Sequence, residues 1–547
     1  MHCSSARSIE DRLLLRARSM NEADQKQVSQ ELRVIAQTLL TTLADPLNRC
    51  CGRSYSAQFW RRYVSYWMVN FVDAVFVEWL DLVYDVQNEC NPEAHLTASA
   101  RRATTRMTDL LEVSQQPAWR LQLKRDIQEC LSGDAIPIIQ DVRWSTSETE
   151  TRRKFNPHRR RSWFASNILR QQEVVLSTTY LPKRYELALG VMLGVAPLRW
   201  RDSGDVDVVF ACDRRRELAR HLESGDRRTF SSVITALLPS YLPWTTIEGI
   251  DFLQREYGVP ERFPRVIFTA NLHFSSDTFA FWAALAGECG AKVVVSQHGG
   301  LNGQGYIPTR DEEIEISEFD GYLNWGWSHT DESIKIPAQI NLGRRFQLHA
   351  RRSRQILLMC DATFRFNRRF WSDSGRYREH LLDVYRGIPV DLRSDVLVRL
   401  HRDHARYDES HIDFWKSHFP EARIDGGTKS IKRLYRQSRV VLCTTIGTTE
   451  IECFSQNQPV FLCLDRTLNR VRPEFEALLG KLEDIGIVHY SKESLESFLT
   501  QNFATIDKWW ANSSVQSVVD EYLNAYGASS KRPLRDYRDV IVGLSRN

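Results

Sequence analysis

The sequence predicts an α/β protein, two Rossmann-like domains facing a cleft, with a helical region ahead of them. Three observations predict it. At 547 residues the chain is too long for a single hydrophobic core. From about residue 165, short β-branched runs alternate with helical segments, which is the texture of a parallel sheet. The alternation restarts after residue 350, giving two successive halves of similar size. The expected divisions are 1–160 for the helical region and a basic linker, 161–345 for the first Rossmann-like domain, 346–515 for the second, and 516–547 for a C-terminal helix and tail.

Each element has its own signal. "ADQKQVSQELRVIAQTLLTTLA" carries the apolar spacing of an amphipathic helix, and "QFWRRYVSYWMVNFVDAVFVEWLDLVY" continues it at higher hydrophobicity. Asp73, Glu78, Asp81 and Asp85 in that second stretch argue for a buried helix rather than a membrane span. Residues 131–165 are polar, basic and without periodicity, as a linker or surface loop would be. Strands are expected in "EVVLS" (173–177), "VDVVF" (206–210), "RVIFTA" (265–270) and "KVVVSQ" (292–297). Between the last two, Ser275 or Ser276 is an N-cap and Gly290 a C′ residue for one helix. The second half offers "RQILLMC" (354–360), "DVLVRLH" (395–401), "ARIDGG" (422–427), "RVVLCTT" (439–445) and "PVFLCLD" (459–465). The acidic run "DEEIEISEFDGYLNWGW" (311–327) reads as an edge strand and a packed turn, and "SVVDEYLNAYG" as a helix folding back on the first domain.

Bulk chemistry excludes several classes. Basic and acidic residues nearly balance, 73 against 69, so net charge does not call for a nucleic acid. The basic run "RRKFNPHRRR" (152–161) is the pattern of a solvated linker or a membrane-surface patch. The 11 cysteines form no CxxC pair, and Cys360, Cys443 and Cys463 sit in strand-like runs as small hydrophobes do. An odd count fits a reducing compartment. "MHCSSARSIEDRLLLRARSM" has no apolar core of a signal peptide. The expected location is the cytoplasm, with peripheral contact to the inner membrane.

The chemistry gathers at the ends of strands. In "VVVSQHGGLNG", Gln297 and His298 follow a buried strand at its carboxyl end, where open α/β sheets bind ligands. Gly299 and Gly300 would let the backbone approach a substrate closely, though a strand-ending turn with a capped carbonyl explains the same letters. A histidine near its ordinary pKa of about 6.5 can take a proton from a hydroxyl at neutral pH. Glu313 and Glu315 are candidates for polar work beside it. In "VVLCTTIGTTEIE", a strand runs into a turn and a helix starting near Thr448. Thr444, Thr445, Thr448 and Thr449 with free N–H groups would cradle a phosphate, and Glu452 would reach a ribose hydroxyl. A well-capped helix without a ligand is the alternative. Arg399, His401 and Arg402 in "RLHRDH" would neutralise a diphosphate or a sugar carboxylate. Asp205 and Asp207 form a DxD, but no further ligand set accompanies it, so no metal is expected.

At these residues the chain resembles a family of transferases from bacterial surface-carbohydrate loci, those of O-antigen and capsule. "SQHGGLNGQGYIPTRDEEIEISEFDGYLNWGW" resembles its central block, and "FWRRYVSYWM" (59–68) its N-terminal block. "RLHRDH" and "TTIGTTEIECFSQNQP" are similar to its two C-terminal blocks. Ile446–Gly447 stand where the family has Asn-Ser, and His401–Arg402 where it has an aromatic-proline pair. The resemblance implies a GT-B-like glycosyltransferase, which works without an essential metal or other cofactor. It implies a nucleotide-activated donor, such as a CMP-activated ulosonic acid, and a glycan or lipid-linked glycan acceptor. An alditol-phosphate transferase of the teichoic-acid polymerase type, or a non-catalytic glycan- or nucleotide-binding protein, are the alternatives. It also implies that His298 is the catalytic base or orients the acceptor, with the Thr444–Glu452 turn on the donor.

Overall fold

The computed structural model describes residues 22–87, 103–132, 172–197, 199–200, 211–222, 229–258, 263–328, 333–342, 353–362, 374–404 and 411–546. The expected strand at 206–210, the Asp205–Asp207 pair, the basic run 152–161 and nearly all of the expected linker lie outside them.

The N-terminal apolar periodicity becomes helices α1 (Glu22–Thr42) and α2 (Ala57–Gln87), packed on one another. Two of the charges inside α2 find partners in the interior: Glu78 lies 3.4 Å from the Lys124 ammonium and Asp73 3.8 Å from Arg310. Such pairing is what burial of a carboxylate requires. No described helix is long and apolar enough to cross a membrane.

The first sheet is parallel, with strands in the order β1 (Val174–Leu176), β2 (Val266–Thr269), β3 (Lys292–Ser296), β4 (Gly321–Asn324) and β5 (Ser333–Lys335). Alternation along each strand divides its side chains between two layers. Val175, Ile267 and Val293 enter one core with Trp60, Trp67, Phe281 and Trp282, so the N-terminal helices cover that face. Val174, Leu176, Phe268 and Val294 face the other layer. There helix α3 (Lys183–Leu193), which follows β1, contributes Leu189. Helix α4 (Asp277–Glu288) joins β2 to β3, with the Ser276 hydroxyl accepting from Phe279 N–H and Gly290 at φ +90° beyond its end, both as expected.

The acidic run departs from expectation. Residues Arg310–Glu318 form helix α5, and β4 is an interior strand rather than an edge. Thr309 caps α5 by accepting from Glu312 N–H, and Asp311, Glu312 and Glu313 crowd its first turn, where acidic residues favour a helix. That outweighs the alternation of Ile314 and Ile316.

The second sheet is also parallel, with strands β6 (Ile356–Met359), β7 (Val396–Arg399), β8 (Arg423–Asp425), β9 (Val440–Cys443), β10 (Val460–Cys463) and β11 (Val488–His489). Their order is β11-β10-β9-β6-β7-β8, so the chain reverses its direction of winding between β6 and β9. The strands β5 and β11, only three and two residues long, were not expected. Cys360, Cys443 and Cys463 are buried thiols, as their apolar surroundings suggested. Helix α6 (Thr448–Ser455) follows β9.

Two helices end the described chain, and their places differ from expectation. α7 (Ser513–Tyr526) packs on α6 and on the helix Pro473–Asp484, both of the second unit. It is the following helix, α8 (Pro533–Arg546), that packs on the first, burying Tyr537 and Ile541 against α3 and β2. "SVVDEYLNAYG" has its apolar stripe matched to the aromatic Phe454 and Phe475 of the second unit, which Tyr522 meets edge-on. The protein is α/β, two Rossmann-like units with parallel sheets meeting across a cleft.

Candidate active site

The turn after β3 is built by Gln297. Its side-chain carbonyl accepts from Trp325 N–H (3.0 Å) and from the Trp327 indole (2.9 Å). Its amide group donates to Gly299 O (2.7 Å). Gln297 is buried and both ends of its amide are engaged within the protein, so it shapes the loop from beneath instead of lining the cleft.

His298 follows with its side chain 17% exposed. Its Nδ1 lies 3.4 Å from Glu315 Oε1 and its Nε2 3.6 Å from Asp311 Oδ2. Asp311 and Glu315 are four residues apart on α5 and share a face. Glu313 is about 200° around the helix from Asp311 and does not line the cleft. Had this segment been a strand, Glu313 and Glu315 would have shared a face; the helix replaces Glu313 with Asp311. Behind Glu315 stands His273, fully buried, with Nε2 3.1 Å from Glu315 Oε1. Asp311 and His273 were both missed. A helical reading of 310–318 would have found the first. The second follows β2 at its carboxyl end, the same position that singled out His298.

Burial opposes a charge on His298, but the Glu315 carboxylate and then Asp311 outweigh it and hold the imidazole protonated well above its ordinary 6.5. Burial likewise opposes ionisation of Asp311, and the His298 imidazolium beside it overcomes that, so the carboxyl lies below its usual range. At neutral pH the two form an ion pair. This corrects the expectation of an imidazole titrating near 6.5.

The two glycines have different surroundings. A Cβ on Gly299 would meet nothing within 4 Å, whereas one on Gly300 would lie 1.8 Å from Gly447 O. Gly300 N–H donates to the Thr448 hydroxyl (3.0 Å). At Gly300 the close approach is to the start of α6 in the other unit, and no substrate is needed to explain it.

On the facing side, the turn before α6 is tightly bonded. Thr444 Oγ1 donates to Met359 O (3.0 Å) and pairs with the Tyr377 hydroxyl (2.9 Å). Thr445 Oγ1 donates to Asp361 (3.3 Å). Gly447 N–H donates to the Glu450 carboxylate (2.7 Å), which closes the helix start. Glu452 instead accepts from the Tyr435 hydroxyl (3.1 Å), away from the cleft, so the carboxylate facing the cleft is that of Glu450. Arg399 is buried and bonded to Asp425. His401 Nδ1 accepts from Asp403 N–H (3.2 Å), and the Arg402 side chain is 78% exposed with Asp403 beside it at 3.3 Å. Among the described residues, no three His, Cys, Asp or Glu side chains converge as metal ligands would.

These groups share one cleft of about 440 Å³. His298, Gly299, Gly300 and Asp311 line it from the first unit, with Arg399, His401, Arg402, Thr444, Thr445, Thr448, Thr449 and Glu450 opposite. Gln297, Glu313, Glu315 and Glu452 do not line it. Its floor is the end of β6 (Met359, Cys360) and of β9 (Cys443), the point where the winding reverses. Ligands of open α/β sheets bind at such points, and the volume suits a small molecule.

Residues 13–541 match the LIC12162 family transferase. The chain belongs to that family. No match was found among curated proteins. Among solved structures, the wall teichoic acid polymerase TagF is similar at 9% identity and a TM-score of 0.32, over 71% of this chain and 94% of that one. WaaG, a glycosyltransferase involved in lipopolysaccharide biosynthesis, is similar at 12% identity and a TM-score of 0.29, over 68% of this chain and 99% of that one. This LIC12162 family member is a transferase, and both of its units contribute to the cleft.

Proposed function

We propose that this transferase moves a sugar from a nucleotide donor, held on the second unit, to a glycan acceptor placed against His298. One observation carries the reading: a single cleft over the β6–β9 reversal joins the His298–Asp311 pair to the start of α6. A helix start directs free N–H groups and positive potential at a phosphate. The exposed Arg402 guanidinium on the same wall suits a diphosphate or an acidic sugar such as a CMP-activated ulosonic acid. Arg399, already neutralised by Asp425, shapes that wall more than it charges it.

In the reaction, the acceptor oxygen forms its bond to the anomeric carbon as the bond from that carbon to the donor phosphate breaks. The proton of the acceptor hydroxyl passes to His298 in its neutral form. Glu315 and Asp311 then stabilise the imidazolium that results. Negative charge developing on the phosphate meets the N–H groups at Thr448 and Thr449, preset donors that need not reorganise.

Thermal-shift measurement with CMP, CDP, UDP, GDP and ADP, followed by donor turnover in His298→Gln, tests this. One nucleotide class should raise the melting temperature, and turnover should fall by about 10²–10⁴-fold with that binding intact. No nucleotide response, or unchanged turnover in the variant, would refute it. A product carrying an alditol phosphate would instead assign the alternative transfer.

A further inference from the structure

Three non-glycine residues in the described chain have a left-handed backbone: Thr178 (φ 52°), Tyr180 (φ 59°) and Asn457 (φ 55°). Asparagine tolerates that region; a β-branched threonine and a tyrosine do not. Two of the three therefore fall within the single turn that leaves β1. Strain of this kind persists only where neighbours over-determine it, and here they do. Thr179, between them, is wholly buried, donates to Glu186 (2.8 Å) and accepts from Leu181 N–H (3.3 Å). Thr178 O accepts from Ala270 N–H (3.0 Å).

What the turn displays is the Tyr180 ring. It is 44% exposed, so core packing does not explain its position. Its centroid lies 6.3 Å from that of His298, whose other neighbour, Phe274, is at 5.1 Å. The Tyr180 hydroxyl accepts from Asn271 Nδ2 (2.8 Å), which fixes the ring and leaves the phenolic proton to donate. The Asn271 Oδ1 beside it is shut off from solvent and has no hydrogen-bond partner. The ring thus stands on the first unit beside His298, next to the residues that line the cleft and outside that set.

We propose that Tyr180 and Asn271 form an acceptor subsite, where a pyranose ring lays its C–H face on the Tyr180 ring and pairs a hydroxyl with the phenol. This rests on the glycosyltransferase reading. An aromatic ring with a polar tip matches a sugar, which presents an apolar face edged by hydroxyls. The strained turn holds the ring beside His298, with its centroid 6.3 Å from that of the imidazole. Tyr180 is a positioning residue; the proton transfer remains with His298.

The test is saturation-transfer NMR on the full chain with the methyl glycosides of glucose, galactose, N-acetylglucosamine and rhamnose. It is paired with melting temperature and nucleotide affinity. The unmodified protein should transfer saturation to the ring protons of at least one glycoside. Tyr180→Gly should reduce that transfer at least severalfold, while nucleotide affinity holds and melting is unchanged or higher, because glycine accepts the left-handed backbone without strain. If Tyr180→Gly fails to fold, Tyr180→Asn, which also tolerates that backbone, must show the same reduction. No saturation of any glycoside by the unmodified protein, or undiminished saturation by the folded variant, overturns the proposal. If the variant no longer saturates the glycoside but the unmodified protein binds no nucleotide at all, the subsite stands and the nucleotide-donor reading is overturned instead.

Discussion

Gly300→Ala exchanges one hydrogen for a methyl group, and it should disable the enzyme. The new Cβ would stand 1.8 Å from Gly447 O, whereas real Cβ contacts essentially never fall under 3.0 Å, so something must withdraw by at least 1.2 Å. The nearest atoms are all backbone: after Gly447 O come Gly447 C at 2.3 Å and Thr448 N at 2.7 Å, at the start of α6. No side chain can rotate away. The helix start on the donor side and the histidine loop on the acceptor side must separate, and the Gly300 N–H bond to Thr448 lengthens with them. A displacement of about 1 Å in a catalytic arrangement costs on the order of 10²-fold in rate. Transfer should therefore fall by about that factor, while the circular dichroism spectrum and each unit's fold remain. Nucleotide affinity, read by calorimetry, should weaken much less than turnover, since α6 keeps its own cap from Glu450. A folded variant transferring within threefold of the unmodified rate would refute the claim that this contact sets the spacing of the site. Gly299→Ala makes a useful contrast, because its methyl meets nothing in the protein. A rise in acceptor KM there would show substrate passing over that backbone.

Three further predictions concern charge and donor binding. If neutral His298 is the base, transfer should rise with pH through a limb well above 6.5, because Glu315 and Asp311 keep the imidazole protonated below it; a limb at or below 6.5 would remove His298 from that role. Thr448→Val should weaken nucleotide binding severalfold, and Glu452→Ala should leave it unchanged, since Glu452 bonds Tyr435 away from the cleft; calorimetry giving the reverse order would reject the assignment of the α6 turn. Buried Asp277 has its carboxyl raised to about 6, because burial disfavours its charge more than the bonds from Thr245 and Met107 favour it. Its folded pKa lies above the unfolded value, so the folded state loses stability as pH rises from roughly 4 to 6 and stays lower above that. Asp277→Asn keeps an acceptor for both bonds and should gain up to about 3 kcal/mol at pH 7.5 and almost nothing at pH 4; equal gains at both in urea unfolding would contradict it.

The strands flanking the cleft were legible because fully buried parallel strands are short β-branched runs with abrupt ends. "KVVVSQ", "RVVLCTT" and "PVFLCLD" needed no knowledge of the rest of the chain. The helix at 310–318 was harder, since Glu313–Ile314–Glu315–Ile316 imitates a strand while Thr309 and three following acids announce a helix. A strand period would set Glu313 beside Glu315, whereas the helix sets Asp311 there. The α6 carboxylate was misplaced by half a turn: Glu450, third in the helix, reaches back to the cap, and Glu452 points elsewhere. Other features depend on distant residues and leave no local trace. Gln297 reads as a ligand group until Trp325 and Trp327 are brought to it. Gly300 reads as a substrate contact until Gly447 arrives from the other unit.

The position of α8 bears on how the protein is made. Tyr537 and Ile541 complete the layer over Val174, Leu176, Phe268 and Val294, and the Tyr537 hydroxyl donates to Pro337 O at 2.7 Å. The strands of that sheet are synthesised long before their cover. Leu342 and Ile541 are separated by roughly 200 residues, which at a ribosomal rate of about 5–20 residues per second is a delay of roughly 10–40 s. Through that interval the whole second unit emerges while, among the described helices, α3 alone covers that face of the first sheet and the part meant for α8 stays apolar and open to water. A fragment cut between the two sheets would leave the part of that face that Tyr537 and Ile541 cover exposed permanently. Expression of residues 22–342 alone should yield aggregate, and supplying 527–546 as a separate peptide is the direct way to ask whether the missing helix is the reason.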